Sequence, residues 1–167
     1  MKKYELTDKK ITYNGRTLYR IRACRDFKTG LGIKIAPGDL GGYIEKEQNL
    51  SHDGKVWIRG NAKVFNNAVV CGDAEVCGDA EVCGNASISS INHIFNVAPI
   101  GAGADALTLF RTKDHSICIS FRYDSYSTED FKKEIENWDE NYQKVALIAL
   151  KAAMLHIDLS EKVLRPR

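Results

Sequence analysis

Apolar and polar residues alternate in a six-residue register that runs from Pro37 to about Thr108. The repeat is clearest between Asn67 and Gly84, in the three successive hexads NAVVCG, DAEVCG and DAEVCG. The second position of a hexad is small and the fourth is aliphatic, which predicts a short strand with one buried face. The sixth and first positions are often Gly followed by Asn or Asp, which predicts a turn after each strand.

A fixed six-residue period with these two columns predicts a left-handed parallel β-helix. Three hexads would form one triangular coil, so residues eighteen apart in the sequence would stack on one another. Residues 37–108 would then form a β-helix of about four coils, flanked by an N-terminal cap at 1–36 and a C-terminal cap at 109–167. The predicted fold is therefore mainly β.

Segment 1–36 predicts a β-hairpin, because Asn14-Gly15 is a typical tight-turn dipeptide between alternating strands. The C-terminal cap predicts a second β-hairpin, from strands at 106–112 and 116–121, followed by two α-helices.

The first predicted helix begins at a cap formed by Ser127 and ends near Trp138. The second spans 141–156, and its apolar positions, which include Val145, Ile148 and Leu155, indicate a helix packed by that face. We expect this tail to cover the end of the repeat and also to leave surface for a partner.

Side chains at the third and fifth hexad positions should point outward and sort into three faces. The first face brings together Trp57, Arg59, His93 and Phe95. An exposed cluster of aromatic and arginine side chains has the composition of an interface hot spot, so these residues are the predicted partner-binding site. The alternative is that one of the flanking segments packs over this face.

Another face carries mostly small residues: Ser51, Val69, Cys71, Ser87 and Ser89. Such a face suits close packing between subunits, and we expect a homotrimer around a three-fold axis.

The formal net charge of +2 is unevenly spread, because residues 1–36 hold ten basic and three acidic side chains. This basic segment could attract phosphate or an acidic protein surface, with Tyr19, Arg20 and Arg22 as candidate phosphate- or ligand-binding residues. The alternative is a solvated hairpin, and direct binding of nucleic acid is not the favoured interpretation.

The cysteines and the hydropathy pattern indicate a reduced cytoplasmic setting. The chain has five Cys, an odd number, no leader-like start and no apolar run long enough to span a membrane. Cys71, Cys77 and Cys83 lie six residues apart, so in a triangular coil they would point to different sides and could not converge on zinc. We therefore predict no metal and no cofactor; Cys24 and Cys118 receive no role.

The repeat resembles that of the hexapeptide-repeat superfamily, whose best-known members are acyltransferases and γ-class carbonic anhydrases. Three further segments, TLYRIRA at 17–23, GDLGGYIE at 38–45 and FRTKD at 110–114, are similar to segments of small prophage-encoded hexapeptide-repeat proteins. Those proteins are often labelled transferases on the basis of their fold. The resemblance implies a phage or prophage protein that acts inside a bacterial host cell.

Two functions follow as hypotheses. The first is a non-enzymatic counter-defence inhibitor that acts stoichiometrically on a bacterial immune system. It would bind a defence protein such as a CRISPR effector, or sequester a signalling nucleotide with Arg20, Arg22 and Arg59 on phosphate and Trp57 or Tyr19 on the base. The alternative is an acyl-CoA-dependent acyltransferase with His93 as its base. That family's usual substrate-embracing loop has no counterpart in the uninterrupted register.

Overall fold

The computed structural model describes residues 1–160, which fold into a mainly β structure with two α-helices and two short 3₁₀ turns, Glu47–Asn49 and Ile91–His93. The strands are β1 Tyr4–Tyr13, β2 Arg16–Ala23, β3 Phe27–Lys28, β4 Lys34–Ile35, β5 Leu40–Ile44, β6 Trp57–Ile58, β7 Lys63–Val64, β8 Val69–Val70, β9 Glu75–Val76, β10 Glu81–Val82, β11 Ser87–Ile88, β12 Ile94–Ile100, β13 Asp105–Arg111, β14 Ile117–Phe121 and β15 Asp124–Tyr126. The helices are α1 Thr128–Ile135 and α2 Glu140–His156.

The predicted N-terminal β-hairpin is confirmed. β1 and β2 pair antiparallel and close at Tyr13↔Arg16. Asn14 and Gly15 both adopt positive φ, at 47° and 71°, which is the backbone conformation that a two-residue turn of this hand requires. The hairpin then continues into β5, which pairs antiparallel with β2.

The central sheet is mixed, with the strand order β1-β2-β5-β7-β10. Its first three strands are antiparallel, whereas β5, β7 and β10 pair in parallel through Tyr43↔Lys63 and Lys63↔Glu81. Two further parallel pairs, β6 with β9 and β8 with β11, form separate two-stranded sheets. Each strand from β6 to β11 is two residues long.

The prediction of a left-handed parallel β-helix of about four coils over 37–108 is wrong. The sheets of residues 1–160 are mixed or antiparallel, and their parallel pairings do not build the predicted solenoid. β12 and β13 pair antiparallel, although β12 lies inside the segment that was expected to coil and β13 begins inside it. Here Ala98 and Ala104, which occupy the inward second position, are exposed.

The burial pattern of the repeat is nevertheless confirmed between Val56 and Ile88. Every second- and fourth-position side chain there is at most 1% exposed: Val56, Ile58, Ala62, Val64, Ala68, Val70, Ala74, Val76, Ala80, Val82, Ala86 and Ile88. The hexads therefore specify which side chains enter the core, while the long flanking strands impose antiparallel pairing on both sides of them.

The C-terminal part forms a four-stranded antiparallel sheet, β12-β13-β14-β15, covered by the two helices. The strands predicted at 106–112 and 116–121 are confirmed as β13 and β14. The Ser127 hydroxyl accepts a hydrogen bond from the Asp130 N–H at 3.1 Å and caps α1 as predicted. Asp139 caps α2 in the same way, through the Asn141 N–H at 3.0 Å.

Two clusters of buried apolar side chains hold these layers together. One lies between the N-terminal hairpin, the repeat strands and Phe110. The other lies between the C-terminal sheet and the helices and includes Leu107, Phe131 and Leu150. β13 contributes to both clusters and so connects the two sheets.

Candidate functional site

Trp57 lies in the core and not on the surface. It is 0% exposed, and its ring packs edge-on against Phe27 at 5.2 Å and Tyr4 at 6.4 Å. The β3–β4 hairpin that carries Phe27 packs close over the repeat, since a Cβ atom on Gly30 would collide with the carbonyl oxygen of Asp73. The expectation that Trp57 is exposed is wrong, and the alternative, that a flanking segment covers it, is confirmed.

Arg59 is held in an ion pair next to Trp57. Its Nε donates to the Glu75 carboxylate in a short contact, and the Glu75 side chain is only 1% exposed. Strand pairing sets this arrangement, because Glu75 lies directly opposite Trp57 in the β6–β9 pair. The Arg59 guanidinium is therefore already paired with a buried carboxylate.

His93 is buried beside a second arginine. It is 6% exposed, its Nδ1 lies 3.1 Å from the Ser89 N–H nitrogen, and its Nε2 lies 2.9 Å from Nη1 of Arg111. Nη2 of the same guanidinium lies 2.9 Å from Nε2 of His115. Burial lowers the pKa of His93, Arg111 and His115 lower it further, and Asp158 acts in the opposite direction. Because both ring nitrogens of His93 are engaged in a buried site, this arrangement does not favour a surface base.

The contribution of His93 to the stability of the native state is expected to fall as the pH is lowered from 7.5 to 5.5. Its folded pKa lies below the ordinary value of 6.5, so the unfolded chain binds more protons in the interval between the two values. The contribution is complete above pH 6.5 and is lost as the pH falls through the folded pKa. Urea unfolding at both pH values should show a smaller loss for His93→Gln than for the wild type.

A residual pH dependence should persist in His93→Gln, because burial also lowers the pKa of His52. Leu31→Ser, at an exposed site without a titratable group, serves as the control and should keep the wild-type slope. An equal slope in all three proteins would contradict this assignment.

Phe95 is half-buried and lies in β12, two residues after His93. Its ring is 5.8 Å from the His156 ring, whose Nε2 lies 3.2 Å from the Ile91 carbonyl oxygen. The C-terminal end of α2 therefore covers this part of the predicted first face. Each of the four residues predicted to form one exposed cluster therefore has its own partners within the chain.

The predicted phosphate-binding residues are also engaged within the chain. The Arg20 guanidinium stacks 4.9 Å from the centroid of the Tyr43 ring, and Arg22 Nε donates to Glu5 at 2.8 Å. Tyr19 precedes Arg20 in β2, so the two side chains project to opposite faces of the strand. The structure does not bring Tyr19 together with the two arginines, and phosphate binding at this hairpin stays a prediction.

The small-residue face predicted to pack between subunits lies along the β8–β11 pair. Val69 faces Ser87 across this pair and is exposed, while Ser51, Cys71 and Ser89 are half-buried. The trimer itself stays a prediction. Cys83 departs from the expected outward position: it is buried, and its Sγ lies 3.2 Å from the Ser125 hydroxyl on the C-terminal sheet.

Helix α2 carries its large apolar side chains on the outside. Its buried residues are Ala146, Ala149, Leu150 and Ala153, which pack toward the C-terminal sheet. Its exposed residues include Tyr142, Val145, Leu147, Ile148, Met154 and Leu155, with Ile148 69% exposed and Leu155 82% exposed. The prediction that the face with Val145, Ile148 and Leu155 packs inward is therefore wrong.

We define the outer α2 stripe as Val145, Ile148, Ala152 and Leu155. These four residues follow one another at intervals of three, four and three, which places them in a row along one side of the helix. Lys144 and Lys151 each precede a residue of the stripe. Lys144 forms an ion pair with Glu140 at 2.6 Å, whereas Lys151 forms no ion pair within residues 1–160.

Sequence reasoning missed this stripe because α2 is apolar around most of its circumference. Either the alanine-rich side or the side with larger residues could have faced the sheet. The signal that separates them is side-chain size: alanines allow close approach to a sheet, as at Ala146 and Ala153, whereas a row of larger residues needs more room.

None of the helices within residues 1–160 combines the length and the apolar character that crossing a membrane requires. No protein-family model matches this chain, and a comparison with curated proteins finds no match either.

Proposed function

We propose that this protein works by binding an amphipathic helix of a partner protein along the outer α2 stripe. The observation that carries the proposal is the orientation of α2. Its alanines pack against the sheet, whereas the larger side chains of Ile148 and Leu155 are exposed to solvent. Contiguous exposed apolar residues on a soluble protein mark interaction surfaces.

The spacing of the stripe suits a helix as the occupant. Apolar residues at alternating intervals of three and four present a continuous seam to a second helix, and the small side chain of Ala152 lets the two backbones approach. Burying Ile148 and Leu155 completely would each contribute roughly 1.5–3 kcal/mol before the costs of association.

The charges beside the stripe favour a partner with acidic flanks. Lys144 and Lys151 border the seam, and Glu140 already has Lys144 as its counter-ion. A second copy of this chain would bring its own lysines toward the same seam, where like charges repel. A partner helix with Glu or Asp beside its apolar residues would instead pair with Lys151.

This proposal gives a mechanism to the hypothesis of a stoichiometric counter-defence inhibitor. A protein that acts by occupying a partner's helix needs no turnover and works at a ratio set by binding alone. We propose the partner class, an amphipathic acidic helix, as the property to look for among bacterial defence proteins.

The test uses two synthetic helical peptides with the same apolar seam, one flanked by Glu and one by Lys. Fluorescence anisotropy should show binding of the Glu-flanked peptide to the full-length protein. The double variant Ile148→Ser/Leu155→Ser should bind it at least about ten-fold more weakly, because both side chains lie at the centre of the seam. Lys151→Glu should shift the preference toward the Lys-flanked peptide.

Leu31→Ser is the matched control, since Leu31 is an equally apolar exposed residue on the distant β3–β4 hairpin. It should leave binding unchanged. Equal binding of both peptides would refute the charge argument. No peptide binding, together with a concentration-dependent dimer that Ile148→Ser/Leu155→Ser abolishes in sedimentation, would identify a second copy as the occupant and overturn the proposal.

A further inference from the structure

A groove lies between the central sheet and the turns of the C-terminal sheet. None of its lining residues belongs to the outer α2 stripe. Its first half has a volume of about 460 Å³ and is lined mainly by Tyr13, Glu81, Asp105, Arg122 and Tyr123. Its second half, about 350 Å³, shares Glu81 and Asp105 and adds Lys63, Asp79 and Pro99. Both halves lie in the size range of small-molecule sites.

The charged groups of the groove largely neutralise one another. Arg122 Nε donates to Asp105 at 2.9 Å, and Lys63 Nζ lies 4.0 Å from Glu81. Among the charged lining residues, Asp79 alone forms no ion pair within the part of the chain that the structure describes. Such a lining does not select for a strongly charged ligand.

The polar groups nevertheless offer many hydrogen bonds. The Tyr13 hydroxyl donates to the Glu81 carboxylate in a short contact, which orients both groups at the base of the groove. Asp105 and Arg122 use only part of their hydrogen-bonding capacity on each other. The carboxylate therefore retains acceptor sites, and the guanidinium retains donor sites, for a ligand. Hydroxyl groups, which both donate and accept, match this mixture.

An aromatic ring stands at the mouth of the groove. Tyr123 is 68% exposed, and its ring centroid lies 5.6 Å from that of Tyr13. The Asn14 side chain donates to the Tyr123 carbonyl oxygen at 3.3 Å and so ties this turn to the N-terminal hairpin. A broad apolar ring face beside polar groups is suited to a ligand that has both C–H and O–H surfaces.

We propose that this groove binds a neutral polyhydroxylated ligand, a short oligosaccharide, with the Tyr123 ring stacked on the C–H face of one sugar. Asp105 and Arg122 would hydrogen-bond to neighbouring hydroxyls, and the second half of the groove would receive an adjoining sugar. The apolar side of Pro99 supplies further contact there.

The test is isothermal titration calorimetry of the protein with neutral trisaccharides built from glucose, mannose, galactose or N-acetylglucosamine. Each trisaccharide is used at concentrations up to about 10 mM. At least one should bind. Tyr123→Ala should weaken that binding about ten-fold or more, whereas Tyr123→Trp should retain it, because the larger ring preserves stacking. Asp105→Asn should weaken binding as well, and Asp73→Asn, an exposed carboxylate outside the groove, should not.

Three results would overturn the proposal. One is the absence of binding by every trisaccharide. Another is binding that Tyr123→Ala and Asp105→Asn leave unchanged, which would place the sugar elsewhere. The third is binding of a polyamine such as spermidine in place of the sugars, which would show that Asp79 and the other carboxylates select a cation.

Discussion

Replacing Trp57 with alanine is expected to lower the free energy of unfolding by about 3–5 kcal/mol. Trp57 is the largest fully buried side chain of residues 1–160, and its ring contacts Tyr4 and Phe27 across two separate hairpins. Alanine would leave a cavity at the point where the N-terminal hairpin, the β3–β4 hairpin and the repeat strands meet. Urea unfolding followed by far-UV circular dichroism measures the loss.

Two companion variants keep this prediction measurable if Trp57→Ala fails to fold. Trp57→Phe retains an aromatic ring and should show a smaller loss in the same assay. Leu31→Ala, at an exposed site on the hairpin that covers Trp57, should stay within about 0.5 kcal/mol of the wild type. Wild-type stability of Trp57→Ala would mean that this residue lies on the surface after all.

Replacing Arg59 with methionine is expected to lower the free energy of unfolding by about 3 kcal/mol. Methionine keeps much of the length of the side chain but removes the positive charge from Glu75. The Glu75 side chain is 1% exposed, and its Oε2 accepts no hydrogen bond within residues 1–160, so its negative charge is neutralised by Arg59. Without this partner the fold must bury an uncompensated carboxylate.

Removing the charge of Glu75 should lower the free energy of unfolding by less, because the Arg59 side chain that loses its partner is 35% exposed and can be hydrated. Glu75→Gln should therefore lower stability by about 1 kcal/mol. The double variant Arg59→Met/Glu75→Gln should be more stable than Arg59→Met alone, and a double-mutant cycle by urea unfolding measures the coupling. If the two single variants lost equal stability and the cycle gave a coupling energy of zero, the Arg59–Glu75 ion pair would contribute nothing to stability.

The two hairpins and the helices illustrate what local sequence can specify. Asn14-Gly15 places its turn correctly because positive φ at both positions is a property of those residues and needs no distant contact. Ser127 likewise places the start of α1, which ends at Ile135 and not near Trp138 as predicted. The alternation in the hexads predicts the buried column from Val56 to Ile88 for the same reason, since strand geometry puts every second residue on one face.

The candidate site was far less predictable. Trp57 and His93 occupy outward positions of the repeat, and outward positions are exposed only where nothing else covers them. Whether the β3–β4 hairpin lies over Trp57, or the end of α2 lies over the turn with His93, depends on the docking of segments that are distant in sequence. The outer α2 stripe was missed because helix α2 has two apolar sides. Only its contact with β12 decides which of the two sides is buried.

The sequence by itself determined the positions of the turns, the helices and the buried small and aliphatic columns, because these follow from the backbone preferences and side-chain periodicity of neighbouring residues. Only the tertiary structure decided the direction of strand pairing, the burial of Trp57 and Glu75, and the exposed side of α2. Those features depend on which distant segments compete for the same surface, and the free energy of that competition is shared among residues that no local pattern connects.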